Sequence, residues 1–206
     1  MGAKILTWRA TKKFVGVIQE LEKYICKIYP LPNNLLAEFL EKWHEKSAKK
    51  KDVITFTDVV ERYLYFTTKG IQKAYYLKDD KEFIVAFTYP FAFTCIPESF
   101  ITQKPSKYSF ECITDSQFLR ISHNDFFGFV EKNHEMETLL RKTLVGTLGG
   151  LVNRYHRIIA LSMEERFRDF MKTSPQLLNE IPHKEIANYL RIDPTNFSKL
   201  LNKVRI

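Results

Sequence analysis

Thr195, Asn196, Ser198 and Lys199 fall in one short stretch near the end of this 206-residue chain. Asparagine can pair bidentately with an adenine edge, and lysine can reach guanine O6 and N7. Threonine and serine hydroxyls adapt to either. Such a set reads base edges only if a rigid scaffold presents it, so the flanking sequence decides. That sequence is HKEIANYLRIDPTNFSKLL, His183 to Leu201. Ile186, Ala187 and Leu190 share one helical face. Arg191-Ile192-Asp193 then breaks the pattern. Pro194 suits the first turn of a new helix, and Asp193 before it is a good N-cap. The second helix turns Phe197, Leu200 and Leu201 inward and leaves the four polar side chains outside. This is the pattern of a helix-turn-helix, whose second helix enters the major groove by its N-terminal end. His183, Lys184, Arg191 and Lys203 are candidate phosphate contacts, which position a protein without reading sequence. Arg191 stands where such turns often hold glycine, so a strained, left-handed residue is expected there. The rival reading is a two-helix core with a polar surface.

No other residue set announces chemistry. There is no HExxH, no glycine-rich phosphate loop, no nucleophile–base spacing and no prominent carboxylate pair, so an enzyme is not expected. Cys26, Cys95 and Cys112 form no CxxC pair; they read as reduced thiols of a cytoplasmic protein. They are too scattered for an iron–sulfur cluster. His44, His123, His134 and His156 stand singly, and a lone histidine is more often structural than a haem ligand. No metal and no cofactor are expected.

Hydrophobic residues make up 45% of the chain and charged residues 27%, a globular balance with apolar bulk enough for a core. No apolar run approaches the ~18 residues of a membrane span, and MGAKILTWRATKKF has no signal-peptide core. Gly2 lacks the serine or threonine that a myristoylation motif needs. The net charge of +8 permits a polyanionic partner but is spread out: +5 over residues 1–52, −1 over 53–132, and +2 in each of 133–160 and 161–206.

The elements that must carry the site follow from periodicity. Phe14, Val17, Ile18, Leu21, Tyr24, Ile25 and Ile28 predict a helix over 11–30, ended by Pro30 and Pro32. Leu35, Leu36, Phe39, Leu40 and Trp43 predict a second over 34–50. From Val53 to Ser122 short β-branched and aromatic runs alternate with turns: VITF, RYLYFTT, IQKAYYL, EFIVAFTY, YSFECI and QFLRIS. That texture predicts a β-sandwich or barrel-like unit. A helical stripe then runs from near Asp125 to about Ala160. At ~1.5 Å per residue its 133–160 portion spans ~40 Å, longer than one small domain covers. A second copy of the chain is its natural partner. Gly146, Gly149 and Gly150 within it would allow close backbone approach.

This order of parts resembles the Crp/Fnr family of bacterial transcription regulators over nearly the whole chain. YLYFTTKGIQKAYYL resembles the family's strand–glycine–strand signature, with Gly70 at the glycine. ESFITQKPSKYSFECITDSQFLRIS resembles its phosphate-binding cassette and the following strand. LSMEERFRDFMKTSPQLLNEIPHKEIANYLRIDPTNFSKLL resembles its DNA-binding domain. The resemblance implies an α+β protein. Residues 1–132 would form a cyclic-nucleotide-binding-like β-roll with N-terminal helices. Residues 133–160 would form a dimerisation helix, and 161–206 a helix-turn-helix, winged-helix-like domain. It implies a homodimer, double-stranded DNA as partner and a small-molecule effector of unknown identity.

Departures limit the resemblance. Family members that bind cyclic AMP hold its phosphate with an Arg-Ser or Arg-Thr pair; here Pro105 is followed by Ser106-Lys107, and no arginine lies between Arg62 and Arg120. Lysine lacks the guanidinium fork, so a response to cyclic AMP is not expected. Glu98, Ser106 and Lys107 remain the candidate effector-pocket residues. Phe91, Phe93 and Phe100 could fill that pocket from within. Asp58 falls at a second family glycine and tolerates left-handed backbone. At the second helix Thr195 and Lys199 replace a common Glu and Arg, so the preferred DNA sequence does not carry over. The alternative is a ligand-binding or protein-interaction module whose helix-turn-helix no longer binds DNA.

Overall fold

The computed structural model describes residues 12–203, with side chains from residue 16. Gly2, the Phe14 side chain and Arg205-Ile206 lie outside the described residues.

Helix α1 (Lys12–Ile28) and α2 (Asn33–Leu40) are joined through Pro30 and Pro32. The second helix ends earlier than periodicity predicts. His44–Ala48 is strand β1, which lies antiparallel to β8 (Ser116–Ser122) in the register His44↔Arg120 to Ala48↔Ser116. HEKSA carries no apolar alternation because β1 is an edge strand whose inner face is closed by one small residue, Ala48.

Strands β2 (Val53–Thr55), β3 (Tyr63–Lys69), β4 (Gln72–Lys78), β5 (Lys81–Thr88), β6 (Ala92–Thr94) and β7 (Ser109–Cys112) complete two four-stranded antiparallel sheets, ordered β1-β8-β3-β6 and β2-β7-β4-β5. The β3–β4 turn depends on Gly70, with φ +90°; a Cβ there would sit 2.5 Å from the Asp115 carbonyl oxygen. At the β4–β5 hairpin Asp79 and Asp80 take φ 51° and 58°, the left-handed pair of a type I′ turn. Asp58 has φ 64°, as its place at a family glycine leads one to expect.

Alternation gives sheet β1-β8-β3-β6 two apolar faces. Leu64, Phe66, Leu119 and Ile121 meet Leu21, Ile25, Leu36 and Phe39 of the N-terminal helices. Tyr65 and Phe118 face the other sheet and pack with Phe110, Cys112 and Ala74. Helix α3 (Pro97–Thr102) lies between β6 and β7.

The expected continuous stripe is two helices, α4 (His123–Val130) and α5 (His134–Ala160). Asn133 makes the break. Its backbone is extended at the α5 N-terminus while its Nδ2 donates to the Phe129 carbonyl at 2.9 Å. Asparagine competes for backbone groups in this way and so favours helix ends. Helices α6 (Met163–Thr173), α7 (Leu177–Glu180), α8 (His183–Leu190) and α9 (Pro194–Lys203) form the C-terminal unit. Among the described residues 161–203 all regular structure is helical, so the winged-helix likeness rests on helices alone. No described helix is long and apolar enough to cross a membrane.

Candidate functional site

The C-terminal unit is built around Phe167, Phe170, Leu177, Ile181, Ile186, Leu190, Ile192 and Phe197, all buried. Ser162 starts α6 with a reciprocal capping box with Glu165. The turn from α8 to α9 closes in two steps. Arg191 takes φ 56°, ψ 45°. Arg191 N–H donates to the Asn188 carbonyl at 3.1 Å and Ile192 N–H to that of Ala187 at 2.9 Å. This is the Schellman pattern, with arginine where glycine is usual. Asp193 Oδ1 then accepts from Thr195 N at 2.9 Å and from Asn196 N at 3.3 Å, capping α9. Arg166 fastens the turn from behind: its Nε donates to the Leu190 carbonyl at 2.9 Å and its Nη2 to that of Arg191 at 3.2 Å.

Thr195, Ser198 and Lys199 are exposed on α9, and Asn196 is half-buried. All four lie within its first two turns. Ser198 Oγ donates back to the Pro194 carbonyl at 3.0 Å, which ties up part of its capacity. The four candidate phosphate contacts separate. His183 and Lys184 are exposed at the α8 N-terminus. The Arg191 guanidinium lies 4.9 Å from the Phe83 ring of β5. Lys203, at the far end of α9, pairs with Glu164 at 3.0 Å.

A docking contact that sequence reasoning missed holds α8 against strand β5. Asn188 bonds the backbone of Glu82 and Ile84, and the Phe87 and Tyr189 rings stand 4.8 Å apart. Arg154 of α5 donates to the carbonyls of Ile84 and Tyr189, both at 3.0 Å. Beside them Lys73, buried in the sheet, reaches Glu82 and Glu111 of the roll and Glu185 of α8. Burial alone would lower the Lys73 ammonium, but the three carboxylates outweigh it and hold it above its ordinary range. Lys184, Glu185, Asn188 and Arg191 line a cleft of about 670 Å³ between roll and helices.

Of the effector-pocket candidates, Glu98 and Lys107 are exposed and Ser106 is buried. Ser106 Oγ closes a local turn, donating to the Tyr108 carbonyl at 2.7 Å and accepting from Tyr108 N at 2.9 Å. None of the three lines the cleft between roll and helices or the cavity beside Tyr65. Nor do Phe91, Phe93 and Phe100 fill the roll. Phe100 and Phe93 pack on its helix-covered face, and Phe91 is half exposed. The inter-sheet space holds Tyr65, Phe110 and Phe118 instead.

The stripe of α5 divides. Met136, Thr138 and Leu139 are buried against the N-terminal part. Val145, Leu148, Val152, Tyr155 and Ile159 are each more than half exposed. Their spacing alternates three and four residues, the a/d spacing of a coiled-coil seam. A Cβ added at Gly146, Gly149 or Gly150 would meet nothing within 4 Å, so within one chain these glycines leave open surface.

The described chain is thus a two-sheet antiparallel roll, a long helix and a terminal unit of four helices. Residues 45–133 match the cyclic nucleotide-binding domain family. No curated protein sequence matches the chain. Among solved structures the chain is similar to FixK2 from Bradyrhizobium japonicum, with a TM-score of 0.69 at 17% identity over 78% of this chain and 83% of that one. It is similar to a Crp/Fnr-family transcriptional regulator from Eubacterium rectale, with a TM-score of 0.69 at 14% identity over 86% and 87%. It also resembles the catabolite activator protein of Thermus thermophilus, with a TM-score of 0.54 at 15% identity over 85% and 84%. At these identities the likeness is one of fold, and the structural neighbours are Crp/Fnr-type regulators.

Proposed function

We propose that this protein is a homodimeric, sequence-specific DNA-binding transcription regulator of the Crp/Fnr type. The observation that carries the reading is the α8–α9 turn: a complete C-cap, a complete N-cap and, at the start of the second helix, a polar set of which Thr195, Ser198 and Lys199 are exposed. In this reading Thr195, Asn196, Ser198 and Lys199 meet base edges. His183, Lys184 and Arg191 hold phosphates. Lys203 joins them only by leaving Glu164. Two copies join along the exposed seam of α5, and their second helices address half-sites about one helical turn, ~34 Å, apart. Glu98 and Lys107 are exposed and neither supplies a guanidinium fork for a phosphate, which supports a protein that does not answer to cyclic AMP.

Selection of a random duplex library by the purified protein, with the winners' affinities read across a salt series, tests this. A two-fold-symmetric motif with a steep salt slope is the expected result. No enriched sequence, with or without added effector, would sink it and favour a module that has lost DNA binding.

A further inference from the structure

The roll is closed deep between its sheets and open at one mouth. Outward of Tyr65, strands β1, β2, β3 and β8 and the 56–62 loop enclose a cavity of about 410 Å³. That lies within the ~300–1,000 Å³ range of small-molecule sites. Its wall carries Lys46, Arg62 and Arg120. These are the two arginines that bracket the arginine-free segment and a lysine of the unforeseen strand β1. The registers bring two of them together. Arg120 pairs with Tyr65 on one side and His44 on the other, so Lys46 sits diagonally from it on the same inward face. Diagonal neighbours of this kind lie within reach of long side chains.

Among the described residues none of the three cations makes an ion pair. Arg120 rests on the Tyr63 ring, 4.3 Å from its centroid. The two carboxylates in the wall are engaged elsewhere. Asp52 Oδ2 accepts from Lys49 N at 2.7 Å. Glu61 accepts from Thr55 Oγ1 at 2.6 Å and Tyr63 N at 3.2 Å, and burial pushes its carboxyl toward the neutral form. Arg62 is exposed, whereas Lys46 and Arg120 are half-buried. Cations drawn partly out of water without a counter-ion are costly, and an anion from solution relieves that cost at these two. At the rim Phe56 and Val59 are 57% and 49% exposed, apolar surface beside unpaired charge.

We propose that this cavity binds a small organic anion carrying a flat apolar ring, its charged end on Lys46 and Arg120 and its ring against Phe56 and Val59. The inference rests on reading residues 45–133 as the sensing part of the regulator. The 56–62 loop of this cavity abuts the cassette, since Ser106 N donates to the Val59 carbonyl at 3.0 Å and Asp58 N to that of Ser106 at 2.8 Å, but the anion would rest on Lys46 and Arg120 and not on Glu98, Ser106 or Lys107. Arg120 lies on β8, which runs directly into α4 and then α5, so the anion would engage the strand that leads to the helical arm.

The test is calorimetric titration of the full chain with phenyl phosphate, and with inorganic phosphate and phenol as its separate halves. Phenyl phosphate is expected to bind saturably and at least about tenfold tighter than either half, a difference of ~1.4 kcal/mol. Arg120→Met and Lys46→Gln should each weaken it about tenfold, and Lys107→Gln should not. Lys46→Gln, on an edge strand, decides the matter if Arg120→Met does not fold. No saturable binding, equal binding of phenol, or binding untouched by both cavity variants would overturn the proposal. Duplex selection is a separate readout. A protein that takes phenyl phosphate but selects no DNA sinks the regulator reading alone; the reverse sinks this one alone.

Discussion

Asn188 and Ile84 pair as two strands would. The Asn188 Oδ1 accepts from Ile84 N–H at 2.9 Å, and its Nδ2 donates to the neighbouring Glu82 carbonyl at 2.7 Å. A single helical side chain thereby supplies both halves of a missing ladder rung. It fixes α8, and with it the turn that presents α9, to the outer edge of the roll.

Replacing Asn188 by alanine should therefore cost more than a surface change. Two buried-side hydrogen bonds are lost and two backbone groups are left facing a cleft, for ~1–3 kcal/mol. Chemical denaturation should show the loss, and hydrogen exchange at the Ile84 amide should quicken. An unchanged Ile84 amide would mean that the contact does not persist in solution.

Glu61 predicts a pH signature. Burial is the largest influence on its carboxyl and raises it above its ordinary 4.5, outweighing the bonds from Thr55 and Tyr63. A folded value above the unfolded one means that the native state binds the proton more tightly. Stability from this group is full below about 4.5 and is lost as pH rises through the higher folded value. Glu61→Gln should remove that slope, so the variant gains on the wild type as pH climbs from 4.5 toward neutrality. Parallel stability–pH curves would contradict this.

Lys199 and Lys203 share α9 but not a role. Lys199→Ala should weaken binding to a selected duplex by ~1–3 kcal/mol and relax preference at one position. Lys203→Ala should weaken it less, because Lys203 is already held by Glu164. Electrophoretic mobility shifts on the two variants would separate them, and equal losses would contradict the assignment.

The α5 seam is testable without DNA. Leu148 and Tyr155 are 61% and 68% exposed in one chain, so charging them does not disturb that chain's own core. Leu148→Glu with Tyr155→Glu should yield a folded monomer by analytical ultracentrifugation, where the parent sediments as a dimer. A parent that is already monomeric would remove the seam from the proposal.

The α8–α9 pair and its turn were legible because every determinant is local. Asp193, Pro194 and the apolar spacing of Ile186 to Leu201 act within two turns. Strands β2 to β5, β7 and β8 were legible from β-branched and aromatic runs. β1 was not: HEKSA earns its place only by pairing with β8, far along the chain. The break at Asn133 lies within the polar run Glu131 to Glu135, a short interruption that helical periodicity on either side overrides. The Lys46–Arg62–Arg120 wall was hidden for the same reason as β1. Closure of the roll brings those residues together, and their spacing in sequence carries no sign of it. Asn188 looked like any polar residue on a helix, since its partner is backbone and leaves no mark in the side-chain pattern.

Strand β5 ends its sheet, so Ile84 turns an amide and a carbonyl away from β4. Asn188 takes the first and Arg154 the second. Edges left bare in this way recruit other strands, and KEFIVAFT is an apolar, β-prone segment of the kind that does so. The helical unit thus also serves as a guard rail for the roll. A fragment cut after the long helix would keep its core and Arg154 yet lose Asn188 and the rest of α8, and its fate would be self-association through β5.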